Sequence, residues 1–282
     1  MIISALVKRY EDTMEVPVGW QKREVSYALD IDEKGNLLGV MYLSGSDDKK
    51  VNHRNFILPE APARSSGIDA GFLCDNGSYF LGLDDKRGQE KFDAAKKLHK
   101  DILQNMDSPT ARAICGFFDR GIPDDIEKYV DLNSAAKENF IFQVDGLFVD
   151  HKSIDLRNAW DEWKNKSYEQ EDDILCLING KKDKAERIHG TISLRGGQTS
   201  GSRLISANAE SFASYGKTVK HRAAEIGRYA AFAYVTALNA LIKDNNHYKY
   251  IGSDTLIYWA EKGGEQEESL FGNLLDPPKV DD

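Results

Sequence analysis

Residues Arg195-Gly196-Gly197-Gln198-Thr199-Ser200-Gly201-Ser202-Arg203 concentrate groups that can hold a phosphate. Three glycines let the backbone come close to a ligand. Arg195 and Arg203, with the hydroxyls of Thr199, Ser200 and Ser202, are donors suited to phosphate oxygens. Gln198 donates and accepts at once, which suits a base edge. A second stretch, 64–79, carries Arg64, Ser65, Ser66, Asn76 and Ser78 among Gly67, Gly71 and Gly77. Each stretch has a plainer reading as a surface loop, and in the second Asp75 and Asn76 can bond their own backbone. Asn76 ranks above Gln198 as a base reader, because Asp75-Asn76-Gly77-Ser78 leads into a β-rich run that can hold it rigid.

Other chemistries find no local support. The six histidines show no H-x-x-x-H or H-E-x-x-H spacing, and Cys74, Cys115 and Cys176 form no C-x-x-C. Cys176 reads as an inert core thiol. Acidic doublets such as Asp84-Asp85 fall in polar turns, so a two-metal nuclease site has no local signal. Gly197-Gln198-Thr199-Ser200-Gly201 is one residue out of a nucleophile elbow. Residues 211–218 fit the phosphate-binding loop G-x-x-x-x-G-K-[ST], ending in Lys217 and Thr218, except that Ser211 replaces the first glycine. Phe212 and Tyr215 would fill the space an anion needs. No nucleophile, base and stabiliser assemble in any local stretch. The expectation is therefore no catalytic centre, no metal and no cofactor.

The 282 residues carry 37 basic and 46 acidic side chains, a net charge of −9. Global charge thus argues against bulk, histone-like binding of nucleic acid. The charge is uneven: residues 176–222 are net +6, residues 223–282 are −5 and residues 1–175 are −10. A basic, Gly/Ser-rich segment in an acidic protein is a candidate polyanion site. The longest apolar run, 229–242, is shorter than the ~20 residues that span a bilayer, and residues 1–16 do not read as a signal peptide. A cytoplasmic protein with no membrane partner is expected.

Elements must position these loops. Residues 2–11 read as an amphipathic helix. Runs 25–31 and 37–43 read as a hairpin about Asp32-Glu33-Lys34-Gly35-Asn36. A strand is expected at 55–58 and another at 79–83. Helices follow at 89–105, with Phe92, Ala95, Leu98 and Ile102 on one face, and from Ser108-Pro109 to Arg120, where Ser caps and Pro opens the helix. Pro123-Asp124-Asp125 repeats that opening. Then come a hairpin about Asp145-Gly146, a helix bearing Trp160 and Trp163, a buried strand at 174–178, a short strand at 203–206, an alanine-rich helix over 223–242 and a hairpin over 248–259. Hairpins mixed with helix clusters predict an α+β fold with mixed, mainly antiparallel sheet and packed helices. The domain reading is one unit over 1–262 and a polar tail or linker over 263–282.

Several of these stretches together resemble a known family. They are the segments 5–10 (ALVKRY), 65–82 (SSGIDAGFLCDNGSYFLG), 108–119 (SPTARAICGFFD), 176–216 (CLINGKKDKAERIHGTISLRGGQTSGSRLISANAESFASYG) and 230–242 (AAFAYVTALNALI), with the two hairpins around 32–36 and before Tyr258-Trp259-Ala260-Glu261. In that order they resemble the large subunit of the subtype I-C CRISPR Cascade complex. The resemblance implies a non-enzymatic subunit that recognises a protospacer-adjacent motif in duplex DNA and supports R-loop formation, and it is what makes 1–262 a DNA-recognition domain. It implies crRNA-containing Cascade subunits as partners and a helicase–nuclease recruited for degradation, with base pairing to the guide supplying long-range specificity. Family members continue into a helical C-terminal region, so residues 1–282 would correspond to an N-terminal portion, and 217–222 is more basic than the family suggests. The DNA-binding residues expected are Arg64, Ser65, Asn76, Ser78, Arg195, Gln198, Thr199, Ser200, Arg203 and Lys217. The alternatives are a protein or crRNA interaction scaffold that does not itself read DNA, and a nucleotide-binding protein using 211–218.

Overall fold

The computed structural model describes residues 2–43, 54–62, 64, 67–83, 86–122, 125–169, 173–186, 188–198, 201–206, 209–213, 225–261 and 264–275. The fold is α+β. The chain forms two compact units: Gly19–Glu169, and Met1–Val18 with Gln170–Asp282. Helix α1 (Ile2–Thr13) groups with the second half of the chain.

In the unit Gly19–Glu169, β1 (Trp20–Val25) pairs antiparallel with β4 (Arg54–Pro59). Strands β2 (Tyr27–Ile31) and β3 (Leu37–Tyr42) form the expected hairpin. Its turn is made locally. The Asp32 carboxylate accepts from the Lys34 and Asn36 amides at 2.9 and 2.8 Å and from the Asn36 side chain at 2.7 Å. Gly35 in that turn has φ +78 and lies directly against the backbone at Ala113, Gly116 and Phe117.

Strand β5 (Cys74–Asn76) falls inside a stretch expected to be loop. The strand expected at 79–83 is instead the helical turn α2 (Gly77–Phe80). The amides of Leu81 and Leu83 both donate to the Gly77 carbonyl, and the Ser78 hydroxyl donates to Leu83 and Ala136 carbonyls, so the chain curls despite its β-prone residues. Helix α3 (Gly88–Leu103) buries Phe92, Ala95, His99 and Leu103; its stripe is rotated from the expected one, and Leu98 and Ile102 are only half-buried. Helix α4 (Pro109–Arg120) starts as expected, with the Ser108 hydroxyl accepting from the Ala111 amide at 3.3 Å.

After Pro123 and Asp124, which lie outside the described residues, come a 3-10 turn (Ile126–Lys128) and a short helix α5 (Leu132–Ala135) in place of the third helix that this opening predicts. Strand β6 (Asn139–Val144) turns through Asp145 and Gly146, both at positive φ, into β7 (Leu147–Phe148). The sheet order is β3-β2-β6-β5, with β7 also on β6, and β2–β6 is its one parallel pair. Helix α6 (Ile154–Lys166) carries the two tryptophans. Phe72, Phe80, Phe92, Phe117, Phe118, Phe140 and Phe142 fill the core.

The other unit is built on α7 (Arg228–Lys243). Its alanines 230, 231, 233 and 237 are buried and let Leu6, Val7 and Tyr10 of α1 pack closely. Strand β8 (Asp173–Leu175) pairs with β9 (Lys182–Lys184); the run expected to be a buried strand is short and buried on one face only, with Ile174 and Cys176 inside and Leu175 and Leu177 each 65% exposed. Cys176 beside them is in the core. Residues 203–206 form no strand; the local pairing is two isolated bridges, Ile188 with Ser206 and Ile192 with Ser202. Strands β10 (Tyr248–Ile251) and β11 (Asp254–Ile257) make the expected hairpin.

The expected polar tail contains helix α8 (Glu265–Leu275). Glu268 accepts from the Ala260 amide at 3.0 Å and pairs with Arg9 at 3.5 Å, and Phe271 meets Tyr258 edge-on at 5.2 Å. Glu268 and Phe271 lie three apart on one helical face, a spacing hidden by the surrounding acidic residues.

Candidate nucleic-acid interface

The two loops singled out by sequence lie in different units, and each has its own support. Residues 67–76 are built from the inside. Leu73 sits at φ +57, unusual for a branched aliphatic residue, and its amide donates to His99 Nε2 at 3.1 Å. His99 is fully buried among Phe72, Phe80, Phe118 and Phe142. Its Nδ1 lies 2.8 Å from the Ala95 carbonyl. A carbonyl only accepts and an amide only donates, so the ring is neutral with the proton on Nδ1. Burial pushes its pKa down from 6.5 to about 4.

That depression makes stability pH-dependent. The folded His99 stays neutral where the unfolded one protonates. Stability is therefore full above pH 6.5 and falls as pH drops toward 4. We expect a loss of about 2 kcal/mol between pH 7.5 and 5 from this group, out of about 3 at full depth. Urea unfolding at both pH values should show it, and His99→Phe should remove that component of the slope.

On the other side of the turn stands Asp75, whose carboxylate is almost wholly enclosed. It accepts from the Gly71 amide at 2.6 Å and the Asn76 amide at 2.7 Å, and it pairs with Arg64. The Arg64 guanidinium also donates to the Asp69 carbonyl at 2.6 Å and lies 4.0 Å over the Tyr79 ring. Arg64 thus has structural partners on three sides. Ser78 is buried with its hydroxyl given to two carbonyls, so it supports α2 and is not turned outward as a donor. The plainer turn-network reading describes Arg64, Asp75 and Ser78 well.

Asn76 differs from its neighbours. Its Oδ1 is buried without a hydrogen-bond donor among the described residues, and its side chain does not cap α2. That oxygen is enclosed, so the amide would offer it to a ligand only by turning the side chain outward.

The second loop is rooted on α7. His189 is buried, its Nδ1 accepting from Tyr234 Oη at 2.8 Å and its Nε2 donating to the Glu186 carbonyl at 3.1 Å. Burial lowers its pKa. Asn239 donates to the Thr191 carbonyl at 2.8 Å, and Ile192 is in the core. Two backbone hydrogen bonds between Ile192 and Ser202, 2.8 and 2.9 Å, then close the loop. Within it, a tight turn runs from Leu194 to Gly197 and the Gly201 amide donates to the Gln198 carbonyl at 2.9 Å, with Gly196 and Gly201 at positive φ.

This frame holds Arg195 and Gln198 outward. Both are exposed, and the Gln198 side chain makes no hydrogen bond to a described residue. Arg203 is exposed too, with Nε donating to the His189 carbonyl at 3.0 Å and its other guanidinium nitrogens without a hydrogen-bond acceptor among the described residues. Arg195 rests its guanidinium 4.7 Å over the ring of Tyr250, a partner that sequence spacing did not suggest. Ser65, Thr199, Ser200 and Lys217 lie outside the described residues, as does most of the 211–218 stretch.

Among the described residues no three His, Cys, Asp or Glu side chains gather as a metal site. No helix of the described residues is long and apolar enough to cross a membrane. The arrangement offers hydrogen-bond donors and cations on anchored loops, which is equipment for binding a polyanion.

A search of curated proteins finds no match to this chain. A family comparison matches residues 6–282 to CRISPR-associated protein (Cas_Csd1), and on that coverage the chain belongs to the Csd1 family of CRISPR-associated proteins.

Proposed function

We propose that this chain is the DNA-recognition large subunit of a type I-C Cascade complex, one that reads the protospacer-adjacent motif in duplex DNA, supports R-loop formation and offers a platform for the helicase–nuclease. The observation that carries the reading is the family match across residues 6–282. The anchored loop with exposed Arg195, Gln198 and Arg203 supports it, as does the +6 segment that contains them. In this reading crRNA-containing subunits hold the guide, and the chain cuts nothing itself.

Roles divide by chemistry. Arg195 and Arg203 position the duplex through phosphates, with Lys217 assigned the same part from its charge. Asn76 and Gln198 read base edges, since an amide donates and accepts together. Arg195→Ala or Arg203→Ala should weaken binding to every sequence and flatten the log–log salt slope by about one unit each.

The test is competition between motif-bearing and scrambled duplexes on the assembled complex. Asn76→Ala and Gln198→Ala should each cost about 1–3 kcal/mol of discrimination while nonspecific affinity holds. A complex whose motif preference survives both substitutions would reject the assigned readers. A wild-type complex with no motif preference at all would favour the interaction scaffold. Incubation with plasmid, single-stranded DNA, RNA and ATP, each with Mg²⁺ or Mn²⁺, should show no turnover.

A further inference from the structure

The guanidinium of Arg195 lies over Tyr250, and no carboxylate among the described residues pairs with it. Tyr250 is 47% exposed on β10. Tyr248 stands two residues earlier on the same face of the strand, its ring 5.1 Å from that of Tyr250 at 60°. Tyr248 is itself fixed, its hydroxyl donating to Asn245 Oδ1 at 2.8 Å. Both supports of the pair are anchored. The Arg195 turn is rooted on α7 through Ile192 in the core and through Asn239, which donates to the Thr191 carbonyl at 2.8 Å, and the foot of the hairpin is held by Arg9 Nη2, 3.1 Å from His247 Nε2, and by Ile257 packed on the same core.

We propose that Arg195 and Tyr250, backed by Tyr248, form a stacking platform for one unpaired nucleotide. The proposal rests on the DNA-recognition reading and deepens it by naming an unpaired nucleotide as ligand. A guanidinium stacked on a tyrosine is a flat, polarisable surface with donors at its edge. A nucleotide matches both parts: its base stacks on the plane, and its phosphate takes the in-plane N–H donors. In closed duplex DNA base faces are already covered by their neighbours, so the platform selects strands that have come unpaired. A simple anion would need the charge alone and would gain nothing from the ring. An acidic peptide would use the charge and leave the aromatic plane unfilled.

An unpaired nucleotide has two sources here, a displaced DNA strand or a stretch of guide RNA. The chemistry is shared, and the experiment separates them. The full chain, wild type and variant, is titrated with a short single-stranded DNA, the matching RNA and the closed duplex. Each single strand carries one fluorescent purine whose emission is quenched on stacking.

Tyr250→Ala should lower affinity for one single strand by roughly tenfold and abolish its quench. Tyr250→Phe should keep both, and in Tyr250→Ala duplex affinity should fall far less than single-strand affinity, since Arg195 keeps its charge. Arg195→Lys should retain charge but lose the quench. A Tyr250-dependent loss on DNA only assigns the displaced strand; on RNA only, the guide. The proposal is overturned if Tyr250→Ala leaves both strands unchanged, if Tyr250→Phe is as weak as Tyr250→Ala, or if polyglutamate competes as well as the oligonucleotide. Motif preference on duplexes is scored separately in the assembled complex. Preference without Tyr250 dependence rejects the platform alone, whereas a quench without preference rejects the motif-reading function alone.

Discussion

Gly35→Ala should destabilise the unit Gly19–Glu169 by about 2–5 kcal/mol. Two costs add. The residue sits at φ +78, where an L side chain is strained by about 1–2 kcal/mol. A Cβ there would also fall 2.2 Å from the Phe117 amide nitrogen and 2.5 Å from the Ala113 carbonyl oxygen. Those are helix backbone atoms, so α4 or the whole β2–β3 turn must move, at about 1–3 kcal/mol for an overpacked core. Such a loss is a large part of a domain's usual stability of about 5–15 kcal/mol. Gly116 meets the same contact from the helix side, its Cβ position 2.5 Å from the Lys34 carbonyl oxygen. The Gly35 and Gly116 alanine variants should therefore be non-additive, since the first displaces what the second would strike. Gly39 is the control: it has ordinary φ and open space, and Gly39→Ala should stay within about 1 kcal/mol of wild type. Urea denaturation of the three variants decides it. A Gly35→Ala midpoint equal to that of Gly39→Ala would mean that the turn does not press on α4.

The contrast between the two ends of that contact shows what sequence can carry. The Asp32 to Asn36 turn was legible because the hydrogen bonds that shape it are made within five residues; the Arg120 donation to Asn36 Oδ1 that ties it to α4 was not. The Ser108-Pro109 helix start and the Asp145-Gly146 turn were legible for the same reason. The packing of Gly35 on Gly116 was not, because it joins segments far apart in the chain. The parallel pairing of β2 with β6 is likewise non-local and leaves no periodic signature. His99 was visible only as a histidine without a metal partner. Its central place between Ala95 and Leu73 follows from the rotation of α3, which one residue of register decides.

The candidate site divides the same way. The Gly-rich stretch 195–203 stood out by residue type, and its closure by the Ile192–Ser202 bridge is local. Tyr250 under Arg195 comes from a hairpin beyond α7, and nothing in the spacing joins them. In the 64–78 loop, composition suggested several outward donors, whereas Arg64 and Ser78 are spent on Asp75, Asp69, Leu83 and Ala136. A donor's type is written in the sequence. Whether the fold has already used it depends on which acceptors the tertiary structure brings near.

Asp75 is where fold and proposed function meet, and Asp75→Ala should have the largest effect of any substitution in the 64–78 loop. The carboxylate takes the Gly71 and Asn76 amides and the Arg64 guanidinium. Removing it leaves two amides without their acceptor and a cation, its side chain 27% exposed, without its buried partner. Breaking a buried pair from one side costs about 3–5 kcal/mol; the partial exposure of Arg64 places the expectation near the lower bound. Asp75→Asn keeps one acceptor oxygen and the shape, so it should lose roughly half as much. The two variants also separate stability from recognition. Asp75→Asn, still folded at 25 °C, should loosen the backbone that presents Asn76. In the assembled complex its preference for motif over scrambled duplex should then fall toward that of Asn76→Ala, with nonspecific affinity and salt slope unchanged, because Arg195 and Arg203 are untouched. Double substitution with Asn76→Ala should add nothing further to the loss of preference. An Asp75→Asn protein that is destabilised yet discriminates as well as wild type would show that the Asp75 network serves the fold alone and that the motif is read elsewhere.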